Sequence, residues 1–152
     1  MVTRLAAERI RSVPVRTHRR HRSFPGNSAE LRNVRRWLIG LLPTGPACED
    51  VVSIAVELAA NAVRHTATGR GGRFTVELSW RDQSGKVRIS VTDDGAPDGP
   101  RWPTGPCPLG ESGLGLYLVC AMASRTGEYG DSRSRQVWAE VLWDAGSPPR
   151  TE

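Results

Sequence analysis

Val51-Val52-Ser53-Ile54-Ala55-Val56-Glu57-Leu58-Ala59-Ala60-Asn61-Ala62-Val63 is apolar on nearly every side of a helical wheel, broken only by a serine, a carboxylate and an amide. Such a segment predicts a helix that is mostly buried. Glu57 and Asn61 stand four residues apart, so both side chains leave one face, one turn apart. Burying them unpaired is costly, so something must satisfy them. Either they hold a ligand, or they bond neighbours across a sheet or face solvent.

Working outward, Glu49-Asp50 place negative charge at the start of this helix, where the macrodipole favours it, and the helix is expected to run to about His65. Upstream, Asn27 with Glu30 fits a capping box, and Leu31, Val34, Leu38, Leu41 and Leu42 recur at helical spacing up to Pro43. Arg22-Ser23-Phe24 is read as a short first strand ended by Pro25-Gly26. Downstream, Phe74, Val76, Leu78 and Trp80 alternate with polar residues, as do Val87, Ile89 and Val91, with Ser84-Gly85 between them. That is a hairpin ending at Asp93. Five prolines between Asp94 and Gly110 exclude helix and central strand, leaving a long loop of the kind that carries function or forms a lid. Ser112 to Ser124 reads as a third helix with Leu114, Leu118 and Met122 on one side and Gly127 just past its end, and Gln136 to Trp143 as a last strand. The order predicts an α+β fold: a two-layer sandwich with a mixed, mostly antiparallel sheet and helices on one face.

A length of 152 residues fits one domain. Residues 23–143 are expected to form it, with 1–22 a basic, solvated tail and 144–152 a frayed C-terminus. The net charge of +5 sits in that tail: residues 1–22 hold seven Arg and one Glu, leaving 14 basic against 15 acidic groups in the remainder. A basic arm can bind phosphate backbones, but charge without a reading motif is weak evidence, and nucleic acid is not the expected partner. No apolar run approaches the roughly 20 residues that cross a bilayer, and charges occupy the place of a signal peptide's apolar stretch. The expected location is the cytoplasm, with no membrane partner. Cys48, Cys107 and Cys120 are too widely spaced for a zinc knuckle or redox pair.

Three segments carry candidate chemistry. On the functional reading, the Asn61 side-chain oxygen binds Mg²⁺, a hard ion that prefers oxygen, while Glu57 is the catalytic base. His65, at the helix end, either contacts phosphate or faces solvent. In Val91-Thr92-Asp93-Asp94-Gly95, a carboxylate at a strand end can accept from the exocyclic amine of adenine, and Gly95 allows close backbone approach to a ring; the alternative is an ordinary Asp-Gly turn. In Glu111-Ser112-Gly113-Leu114-Gly115-Leu116, free N–H groups at a helix start attract phosphate, so Gly113, Leu114, Gly115 and Leu116 are candidate cofactor contacts. No third glycine at 118 and no Lys-Ser or Lys-Thr follow, which excludes the Rossmann and P-loop patterns.

Glu57-x3-Asn61, then Asp93-x-Gly95, then Gly113-x-Gly115 behind a Pro/Gly loop resembles, in that order, the N, G1 and G2 boxes of the GHKL (histidine kinase-like) ATPases. The resemblance covers about residues 22–143 and implies ATP and Mg²⁺ as cofactors. The short length, the Phe24-Pro25-Gly26 turn and Val137-Trp138-Ala139-Glu140 look closest to the bacterial anti-sigma factor Ser/Thr kinases. That branch implies phosphorylation of a serine on a STAS-type anti-anti-sigma protein and sequestration of a sigma factor. Pro97 stands where the G1 box usually repeats glycine, and Ser134 is the candidate for the Thr usual before the last strand. His18 and His21 lack the helical hairpin a sensor histidine kinase needs. Two further functions stay open: a nucleotide-responsive binding module without phosphotransfer, and nucleic-acid binding through the Arg-rich segment. Trp37 and Trp102 suit either a homodimer interface or core and loop packing.

Overall fold

A computed structural model describes residues 14–104, 114–143 and 149. The first strand, β1 (Thr17–Pro25), is followed by a 3-10 turn at Ser28–Glu30 and helix α1 (Leu31–Leu41). Helix α2 (Pro46–His65) carries the decisive segment, and a second 3-10 turn, Ala67–Gly69, extends its end. The hairpin is β2 (Arg73–Arg81) and β3 (Lys86–Asp93), followed by α3 (Leu114–Met122), β4 (Arg125–Gly130) and β5 (Arg135–Leu142). Among the described residues the strands form one sheet in the order β1-β2-β3-β5-β4. All four of these pairings are antiparallel, in keeping with the mostly antiparallel sheet expected from the sequence.

The α+β sandwich is the expected one, and α2 is its organiser. It packs against β2, β3 and β5 below, and against α1 and α3 on either side. Its buried residues Val51, Ile54, Ala55, Leu58, Ala59 and Ala62 meet Phe74, Val76, Leu78, Val87, Ile89 and Val91 from the alternating positions of β2 and β3. Many of the helix residues at this contact are alanines, which let a helix sit close on a sheet. Phe24 stacks on Phe74 at 5.5 Å and meets Trp37 edge-on at 6.1 Å, so Trp37 closes the α1 side of the core. Trp102 also packs against the core.

Four local readings are corrected. The first strand starts at Thr17, so Thr17–Arg22 belong to the sheet and not to a tail; residues 1–13 lie outside the described residues. No capping box forms, since Asn27 makes no side-chain cap bond and Glu30 instead accepts from Asn33 Nδ2 at 2.9 Å. The packed side of α3 is Leu116 and Val119, with Leu114 and Leu118 about two-fifths exposed. This nine-residue helix is apolar all round, so its own pattern cannot choose a face, and contact with α2 does. Gly127 does not follow a helix end but lies within β4, where the indole of Trp138 lies across its backbone. The expected C-terminal stretch 144–152, apart from Pro149, and the loop residues 105–113 with Cys107 lie outside the described residues.

Candidate functional site

The helix-side row of β3 runs Val87, Ile89, Val91 and then Asp93, so the last position of an apolar row is a carboxylate. Asp93 is 6% exposed. Its Oδ1 accepts from the Gly95 N–H at 2.7 Å, and among the described residues Oδ2 has no hydrogen-bond donor. Burial pushes this carboxyl above the ordinary range; the Gly95 N–H and the charge of Arg135 pull the other way, and Asp94 adds to the rise. A buried acceptor with one oxygen uncommitted is what an amino group of a ligand would need.

The adjacent Asp94 does different work. Its Oδ2 accepts from the Arg73 N–H at 3.0 Å and from the Thr68 hydroxyl at 3.5 Å, while its own N–H donates to Thr68 Oγ1 at 2.9 Å. Thr68 is fully buried, and its hydroxyl also donates to the Arg73 carbonyl. The Ala67 N–H donates to the Gly95 carbonyl at 2.9 Å. These bonds tie the end of α2 to the end of β3, which brings the helix that bears Asn61 and the strand that bears Asp93 to one corner of the fold.

Glu57 and Asn61 are half-buried, and among the described residues neither side chain makes a hydrogen bond. They do not bond across the sheet either, which removes one of the alternatives left by the sequence. Gly115, in the first turn of α3, lies against Glu57: a Cβ there would fall 2.6 Å from Glu57 Oε2. Leu116 is buried beside it, and Leu114 stands more exposed. The N–H groups of Leu114, Gly115 and Leu116 belong to the first described turn of α3. Gly113 lies outside the described residues. His65 is exposed in the last turn of α2.

Gly95 has a different reason from the one expected. Its φ is +76°, and a Cβ would collide with the backbone of Ser132 and Arg133 in the β4–β5 turn. The close approach is made by this turn, not reserved for a ring. Ser134, the candidate for the usual Thr, is exposed in that same turn, which Asp131 caps by accepting from the N–H groups of Arg133 and Ser134. Those two bonds hold the Asp131 carboxyl below its ordinary range.

Sequence reasoning overlooked Arg135. It pairs with Asp93 across β3 and β5, so both side chains leave the sheet on the helix side. Its guanidinium reaches Glu128 at 3.4 Å, and its Nε is buried with no hydrogen-bond partner among the described residues. Only the antiparallel register reveals this neighbour, and the register was not readable while β4 was missed. Among the described residues no cluster of three or more His, Cys, Asp or Glu is gathered around a metal. Cavities of about 400 Å³ between α1 and α2, and about 270 Å³ beside Pro103 and Tyr117, are not lined by Glu57, Asn61 or Asp93.

No helix of the described residues is long and apolar enough to cross a membrane. No curated protein matches the chain significantly. A family model describing the histidine kinase-like ATPase domain matches residues 24–141, from the last residues of β1 to the penultimate residue of β5, and spans every box residue named above. With most of its length matched and its sandwich of antiparallel sheet and helices in place, the chain belongs to the family of histidine kinase-like ATPase domains.

Proposed function

We propose that this chain is an ATP- and Mg²⁺-dependent serine kinase that regulates a sigma factor through a STAS-type anti-anti-sigma partner. The observation that carries the nucleotide part is Asp93, buried at the end of an apolar row with one oxygen uncommitted. That oxygen would take the adenine amine. Asn61 would hold the metal, and the first-turn N–H groups of Leu114, Gly115 and Leu116 would receive phosphate oxygens. MgATP, when bound, supplies the phosphoryl group to be transferred.

The remaining steps fall to side chains of the chain itself. Glu57, which makes no hydrogen bond among the described residues and stands one turn from Asn61, would accept the proton of an attacking serine hydroxyl, and Gly115 leaves its carboxylate room to do so. Asp93 orients the base, and Thr68 with Asp94 fixes the corner on which both depend. Binding is tested by thermal unfolding with and without MgATP, since a ligand of the native state must raise the midpoint. Transfer is tested by incubation with labelled ATP and a STAS-domain partner. The expected result is labelled phosphoserine, abolished by Glu57→Ala while ATP still binds.

The half-burial of Glu57 favours a second reading, a nucleotide-responsive module that captures a regulator without transferring phosphate. ATP binding with no phosphoserine in the same assay would select it.

A further inference from the structure

We propose that Arg135 is the positioning residue for base choice: from the strand beside Asp93 it keeps that carboxylate anionic, so that the open oxygen accepts from an amino group and rejects a carbonyl. The inference rests on the adenine reading of Asp93. The two residues are direct partners across β3 and β5, on the face that meets the helices. Oδ1 is already committed to the Gly95 N–H, so the protonation state of Asp93 is expressed at Oδ2 alone. An anionic Oδ2 can only accept. A protonated one presents an O–H and prefers a carbonyl oxygen. Adenine and hypoxanthine differ at this very position, amino in one and carbonyl in the other.

Asp93 is 6% exposed, and burial favours its neutral form. The opposing charges are few. Asp94 follows directly after the strand, but its carboxylate is turned to Thr68 and Arg73. From β4, Glu128 binds the Arg135 guanidinium at 3.4 Å, and Asp131 in the β4–β5 turn also feels the charge of Arg135. From α2, Glu57, Arg64 and His65 are the charged or titratable groups on the turns flanking Asn61. Arg135 is thus the cation that opposes neutralisation of Asp93. A second contact shows how it is held: a Cβ at Gly99 would fall 2.9 Å from Arg135 Nη1 and 3.2 Å from Glu128 Oε2, so the loop after Asp93 is laid over this ion pair.

That contact also supplies a rival account, in which Arg135 and Glu128 merely anchor the loop. The two accounts differ in sign. Loss of either partner would free the loop alike, whereas Arg135→Gln removes the charge that favours the Asp93 anion and Glu128→Gln removes one that opposes it. The titration midpoint of Asp93 is read from its carboxyl-carbon NMR shift without nucleotide, and the affinities for MgATP and MgITP by calorimetry between pH 5 and 8. The ratio of the two affinities cancels titration of the phosphates, of Glu57 and of His65.

Arg135→Gln should raise the Asp93 midpoint by about one unit, a tenfold change in proton affinity. It should narrow the preference for ATP over ITP by about as much at the acid end of the range. Arg135→Lys should restore both, and Glu128→Gln should lower the midpoint. An unmoved midpoint in Arg135→Gln, or a preference narrowed equally by Arg135→Gln and Glu128→Gln, overturns the proposal. Should Arg135→Gln fail to fold, Glu128→Gln decides: a lowered midpoint supports the coupling, and a raised or unchanged one overturns it. Wild-type protein that binds neither nucleotide overturns the adenine reading and base choice with it, and the nucleotide-free titration then shows separately whether the Arg135–Asp93 coupling exists.

Discussion

Gly115 opens the space that the Glu57 carboxylate occupies: the two belong to different helices, and a methyl group on α3 would fall 2.6 Å from Glu57 Oε2. Since that oxygen ends a flexible side chain, Gly115→Ala displaces a carboxylate without disturbing backbone. Alanine is also the better helix former, by about 1 kcal/mol. The variant is expected to be as stable as the parent, or more so, in urea unfolding, yet to lose phosphotransfer by about 100-fold, the usual contribution of a positioned general base. Equal activity would show that the position of Glu57 is immaterial to the reaction.

Gly95 makes the opposite prediction. At φ +76° and against the Ser132–Arg133 backbone, a side chain has nowhere to go. Gly95→Ala should cost about 2 kcal/mol or more in unfolding free energy. Gly71 is the control: its φ is +85°, but no atom lies within 4 Å of its absent Cβ, so Gly71→Ala should cost about 1 kcal/mol from the backbone alone. Equal costs would refute the turn contact.

These two glycines show how far the sequence was readable. The α2 helix and the hairpin were legible because strong apolar periodicity fixed them, and Asp93 followed as the last residue of an alternating row; the three boxes were read from a family resemblance. What escaped depended on pairing with distant strands. In β4, Arg125-Thr126-Gly127-Glu128-Tyr129-Gly130 has no apolar alternation, and none of its six residues is buried. In β1 only Phe24 is buried, so its arginines read as a tail, although backbone pairing with β2 and the His18–Asp82 contact at 2.7 Å hold it. Gly95 was read for a ligand because the turn that approaches it belongs to the overlooked β4–β5 hairpin.

Asp93→Asn separates the site from the fold. The Gly95 N–H needs an acceptor, so the amide should turn its oxygen there and its NH₂ to the ligand, setting donor against the adenine amine. ATP affinity should fall about 10- to 100-fold. Stability should respond in the reverse direction. Burial raises the folded-state value of this carboxyl above the unfolded one, so its ionised form opposes folding at pH above the folded value. That cost fades as pH falls through the folded value towards the unfolded one, where both states bind the proton. Without nucleotide, the stability of the variant relative to wild type should therefore be greatest near neutrality and shrink towards pH ~3. A difference independent of pH would place the carboxyl at an unshifted value.

The Arg-rich segment calls for a different test from truncation. Removing residues 1–22 would delete Thr17–Arg22 and strip Val76–Arg81 of β2 of their β1 partners, so lost binding could not be told from lost folding. Arg19 and Arg20 stand opposite Ser79 and Leu78, on opposite faces of an edge strand, and charged residues at such an edge discourage pairing with other chains. Arg20 Nη1 donates to the Arg19 carbonyl, and Arg22 lies over the Phe24 ring at 5.2 Å, so both guanidinium groups already have partners within β1. Arg19→Gln with Arg20→Gln should keep the strand, with unfolding free energy within about 0.5 kcal/mol of wild type. Binding to single-stranded DNA, titrated against salt, should be weak in both proteins and show the same slope. A steep slope in wild type that falls by about one for each arginine replaced would instead make β1 a phosphate-binding strand.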